Sequence, residues 1–131
     1  MKVFKRVSML ICVVSVLTLF SMTVMAANFP ILAYNVKKNT FDYTSYTNPT
    51  SQSPYNVKVS TRPDSVNGLA EVKISTIDDF SNDNSRIGYQ AFPGGFDVPA
   101  IEFVLPAGKT YYAFVYTNLD FYVSGILNAT Y

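Results

Sequence analysis

Downstream of its first two dozen residues, the chain alternates. Apolar and polar side chains exchange places at every second position, in run after run, and no stretch carries the spacing of an amphipathic helix. A period of two sends successive side chains to opposite sides of an extended backbone, so such runs fold as strands with one face buried. Tyr55, Val57 and Val59 alternate with Asn56, Lys58 and Ser60, and Ala70, Val72 and Ile74 with Glu71, Lys73 and Ser75. Ile87, Tyr89 and Ala91 alternate across Gly88 and Gln90, and Ile101, Phe103 and Leu105 make a further strand.

Between these runs stand clusters of Gly, Pro, Asn and Asp, the residues that turns use. Residues 62–68, ending in Asn67-Gly68, read as the loop of a hairpin joining the runs on either side. Residues 109–117 are apolar on both faces, Tyr111, Ala113 and Val115 on one and Tyr112, Phe114 and Tyr116 on the other, which predicts a central strand covered on both sides. Residues 29–36 and 40–46 supply opening strands and 121–131 a closing one. Seven to eight short strands follow, and the fold they predict is all-β: a single antiparallel β-sandwich, immunoglobulin-like or jelly-roll-like. The phrase Leu105-Pro-Ala-Gly-Lys-Thr-Tyr-Tyr-Ala-Phe-Val115 resembles a turn-and-strand phrase of secreted bacterial β-sandwich modules and supports the fold without naming a family.

The first residues follow another pattern. Lys2, Lys5 and Arg6 precede a continuous apolar run over residues 9–20, and Val24 and Ala26 place small residues before a cleavage point. That is the order of a secretion signal, with an apolar core too short to span a bilayer. The expected organisation is a cleaved signal peptide over 1–26 and a β-sandwich domain over 27–131, secreted, extracellular and of bacterial type, with no membrane span in the mature form. Alternation and a closing aromatic also occur in outer-membrane barrels, but the other runs, at about seven residues, are shorter than the ~9–11 each such strand needs.

Composition matters at this point. Cys12 and every methionine lie within the signal, and the chain has no His or Trp. A mature domain without thiol or imidazole excludes cysteine and serine–histidine nucleophiles, His acid–base chemistry and soft-ligand metal sites. Three of the ten cations also belong to the signal, leaving seven against nine acids, a balance that argues against a nucleic-acid footprint.

Three constellations remain. Tyr43, Tyr46 and Tyr55 flank the loop-like stretch 48–54 and form the candidate ligand-binding set, since tyrosine stacks on sugar rings and offers a hydroxyl. Asp79, Ser81 and Asp83 place hard oxygen donors at alternating positions, the candidate set for a weak calcium site, without the Gly and closing Glu of an EF-hand loop. Glu71 and Glu102 are the only glutamates, and a carboxylate pair on a sheet is the arrangement of jelly-roll glycosidases; both alternate with apolar neighbours as ordinary strand charges do. The expected function is a non-catalytic secreted binding protein whose partner is an extracellular protein or glycan. The alternatives are a glycan-binding module, calcium-stabilised or not, and a small toxin, inhibitor or self-assembling protein.

Overall fold

The computed structural model describes residues 28–47 and 55–130; residues 1–27, where the signal is expected, the stretch 48–54 and Tyr131 lie outside the described residues. Eight strands make up almost all of the regular structure: β1 (Asn28–Val36), β2 (Phe41–Thr47), β3 (Tyr55–Pro63), β4 (Leu69–Ser75), β5 (Arg86–Pro93), β6 (Ile101–Leu105), β7 (Thr110–Tyr116) and β8 (Val123–Thr130). A single 3-10 turn, Asp83–Ser85, is the one helical piece among the described residues.

The strands divide into two four-stranded antiparallel sheets, β1-β8-β3-β6 and β2-β7-β4-β5. They form a sandwich-like arrangement whose core comes from both inner faces. Val57, Val59, Phe103 and Leu127 enter from the first sheet, and Val72, Ile74, Tyr111 and Val115 from the second. The alternation that predicts strands also supplies this core, because every second side chain of each strand points the same way. Tyr34 lies across Gly125 so closely that a Cβ there would sit 2.4 Å from its hydroxyl. That hydroxyl meets Thr61 at 2.9 Å, and Thr61 donates to the Ile126 carbonyl at 2.9 Å, so a buried phenol is satisfied and β1, β3 and β8 are locked together.

All connections cross between the sheets except β4–β5, which stays within one. This overturns the hairpin expected over residues 62–68, since β3 and β4 belong to different sheets. The cause lies at the two ends of that segment. The Asp64 amide donates to the Ser124 carbonyl at 2.9 Å, which keeps the end of β3 on β8. The Gly68 carbonyl accepts from the Gly94 amide at 2.7 Å, which delivers the start of β4 to β5. A Cβ on Gly94 would lie 1.9 Å from the Ser65 carbonyl oxygen, so only glycine lets the crossing segment pass. Alternation registers a strand's two faces and is silent about which sheet it joins.

The central position expected of residues 109–117 is observed: β7 lies between β2 and β4. On β5 the faces are reversed relative to the apolar reading. Gln90 and Phe92 point inward opposite Val72 and Ala70, and Ile87 and Tyr89 point out, because the register with β4 pairs Lys73 with Tyr89.

Candidate aromatic binding face

The outer face of the β2-β7-β4-β5 sheet can be read directly from its register, since opposed residues of an antiparallel pair share a face. One row runs Phe41–Tyr116–Glu71–Ala91, and the next Tyr43–Phe114–Lys73–Tyr89. Aromatic rings therefore fill an outward surface where polar side chains are the usual occupants. Phe114 is only 1% exposed although it points away from the core.

What buries it is the β4–β5 connection, which folds back over this face. Ser75 and Ser85 hydroxyls meet at 2.7 Å and the Thr76 amide donates to the Ser85 carbonyl at 3.1 Å, closing the base of the loop. At its tip Phe80 stacks on Phe41 (centroids 4.7 Å, planes 15° apart) and meets Tyr116 edge-on at 5.0 Å. Phe80 and Phe114 are 5.6 Å apart, and Tyr43 stacks on Phe114 at 5.4 Å. Such offset and edge-on geometries add to simple apolar burial.

Beneath the loop lies Lys73, a cation only 4% exposed. Its ammonium donates to the Phe80 carbonyl and to Asp83 (2.9 Å), and sits over the Phe80 ring at 5.3 Å. A buried charge is tolerable when it is paired and hydrogen-bonded, and here its partners all come from the covering loop. The hydrogen bond and charge of Lys73 hold the Asp83 carboxyl below the usual carboxylate range, with a smaller contribution from Arg86.

Beside Phe80 the face opens into a cleft of about 550 Å³. Phe41, Phe80 and Tyr116 form its aromatic walls, Glu71 supplies a carboxylate, and the turns at 38–40 and 117–118 close one end. The Tyr89 hydroxyl donates to Glu71 at 2.8 Å. Burial first, then Glu71, raises the Tyr89 phenol well above its ordinary range. Burial and the Glu71 charge raise Tyr116 as well, so both hydroxyls remain neutral hydrogen-bonding groups at physiological pH. A shallower hollow on the other side of the Phe41–Phe80 pair is bordered by Tyr43 and Phe114.

The residues singled out from sequence are dispersed. Tyr43 belongs to the aromatic face and is 48% exposed. Tyr46 occupies the opposite side of β2, packed against the core with its ring 5.1 Å from Tyr111. Tyr55 opens β3 in the other sheet, and its side chain lies outside the described residues. Asp79 accepts from the Ser81 hydroxyl (2.7 Å) and amide (3.0 Å), which lowers its pKa, and so serves the loop's own turn. Asp83 is the partner of Lys73. Among the described residues no group of three or more acidic, His or Cys side chains gathers where a metal ion could sit. Glu71 and Glu102 stand on the outer faces of different sheets.

Sequence reasoning missed Phe41, Phe80 and Lys73. One signal was available: Phe80 is an aromatic residue set among Asp, Asn and Ser in a loop. No helix among the described residues is long and apolar enough to cross a membrane. No protein-family model, curated protein or solved structure matches the chain.

Proposed function

We propose that this chain is a secreted, non-catalytic binding protein of jelly-roll type, and that it binds through the outer face of the β2-β7-β4-β5 sheet. The observation that carries the reading is that face itself: half-exposed Phe41, Tyr43 and Tyr89 beside an aromatic cleft, on a surface where a sheet with no partner would carry polar side chains. The leader at residues 1–26 supports export, and the strand order supports a jelly roll, two interleaved antiparallel Greek keys. A mature domain without His or Cys, and with its two glutamates on different sheets, supports binding over catalysis.

A second reading, recognition of glycan in place of protein, draws on Tyr43. Its ring is stacked on Phe114 and remains half exposed, the posture of a platform for a sugar ring.

Labelled protein applied to intact cells and to a glycan array tests both. The double substitution Tyr43→Ala/Tyr89→Ala is expected to lose binding at least about tenfold, as removal of exposed aromatic anchors does. Lys58→Ala/Arg62→Ala, on the other sheet, is expected to leave it unchanged. Equal binding by all three proteins, or loss only with the second pair, would overturn the assignment; signal on glycans alone selects the second reading.

A further inference from the structure

The row Phe41–Tyr116–Glu71 ends beneath Phe80, and the cleft enclosed there combines two features that call for one kind of ligand. Three aromatic rings are among its lining residues, and rings of this kind attract cations. Its carboxylate, Glu71, is half buried, takes a hydrogen bond from Tyr89, and has no ion-pair partner among the described residues. A carboxylate withdrawn from water is costly until a positive charge joins it.

The lysines around the cleft are already committed. Lys73 is paired with Asp83 at 2.9 Å, and Lys38 with Asp120 at 3.3 Å. Arg86 is close enough to act on the Tyr116 phenol, yet it is exposed and forms no ion pair with Glu71. An anion entering the cleft would meet Glu71. A cation wrapped in alkyl groups satisfies both the rings and the carboxylate.

We propose that this cleft takes an alkylammonium group, with Phe41, Phe80 and Tyr116 as the aromatic enclosure and Glu71 as the counter-ion. The proposal rests on the aromatic face being the binding surface and names the chemistry it reads. Tyr89, by donating to Glu71, positions the carboxylate toward the cleft without touching the ligand.

Choline and its uncharged tert-butyl analogue, equal in shape and different in charge, provide the test. Backbone amide shifts of the wild-type protein are followed as each is titrated. Choline is expected to move resonances around Phe41, Phe80 and Tyr116 saturably, and the neutral analogue to bind at least about tenfold more weakly, the scale of a partly desolvated cation–π contact. Glu71→Gln keeps size and hydrogen-bonding capacity and is expected to bring choline down to the level of the analogue; Phe80→Ala is expected to weaken choline binding in its turn. Equal affinity for the two probes, binding of neither, or a Glu71→Gln protein that still prefers choline would overturn the proposal. The wild-type comparison needs no variant to fold. Should choline fail while Tyr43→Ala/Tyr89→Ala still abolishes surface binding, only the ligand class is lost; the converse pattern removes the surface assignment and keeps the cleft.

Discussion

The two sheets share a core and differ in what they show to water. On β1-β8-β3-β6 the outward residues include Lys58, Ser60, Arg62, Glu102, Ser124 and Asn128, with Val104 and Ile126 as scattered apolar exceptions, and cross-strand neighbours include Lys58 with Glu102 and Ser60 with Asn128. This is the ordinary economy of a half-solvated antiparallel sheet, apolar within and polar without. On β2-β7-β4-β5 the same register delivers aromatics to both sides, and a loop from the sheet's own hairpin folds over part of the outward set. The second sheet thus behaves as a layer between the main core and a small satellite core built on Phe41, Phe80 and Phe114. What remains uncovered at the margin of that satellite is the candidate binding face.

The comparison breaks most directly at Phe114. If the satellite is a core in its own right, Phe114→Ala removes a ring that is buried although it points outward, and should cost about 3 kcal/mol, the low end for a buried phenylalanine because the loop above can settle. Ile126→Ala, at one of the apolar exceptions on the outer face of the first sheet and 50% exposed, should cost less than about 1 kcal/mol. Urea unfolding of the two variants measures the difference. Equal losses would mean that the loop merely rests on the second sheet, and that the two outer faces are energetically alike.

That asymmetry explains which parts of the molecule could be read from sequence. Strands such as β3, β4 and β6 are visible as alternating runs, because the period of two is imposed by backbone geometry wherever one face is buried. The second covered face of β7 is visible too, as apolar residues at both parities. The partner of that face is not visible, since Phe80 reaches it from a loop and no local period connects them. Lys73 is misleading for the same reason: alternating with Val72 and Ile74, it has the pattern of a solvated charge, and only the returning loop buries it. The lost hairpin at Asn67-Gly68 has a related origin, because a turn signal marks a reversal of direction and carries no information on sheet membership.

Lys73 is the link between loop and sheet. Lys73→Ala removes the buried ammonium and its stem together and should cost about 2 kcal/mol, in the range for charge-assisted hydrogen bonds. Lys73→Met keeps an apolar stem in the same place and should cost less, since it removes a buried charge without leaving a cavity, and the Asp83 left behind is exposed to water. The pair also gives the loop an acid dependence. Asp83 has its pKa lowered by Lys73, and by Arg86 to a lesser degree. A group depressed in the folded state contributes stability that is present above its unfolded value, here near 3.8, and is lost as pH falls through the lower folded value. Melting temperatures followed downward from pH 5 should therefore fall less in Lys73→Met than in the wild-type protein. Parallel acid curves would show that the ion pair does not hold the loop.

The smallest expected effect lies on the first sheet, and it completes the contrast. Lys58 and Glu102 are opposed across β3 and β6, 3.7 Å apart, with both side chains about half exposed. They carry the same kinds of charge as Lys73 and Asp83, at a longer distance and with water on both partners. An exposed pair gains little, because solvent and salt screen the attraction and two long side chains lose freedom in meeting. A double-mutant cycle with Lys58→Ala and Glu102→Ala should give a coupling of about 0.5 kcal/mol or less, vanishing at high salt. The loss on Lys73→Ala should persist at the same salt concentration, because its ammonium is shielded by Phe80 and the loop. Ion pairs that differ so little in composition then differ in strength through the one structural fact that separates the sheets: the hairpin loop of the second sheet covers its outer face.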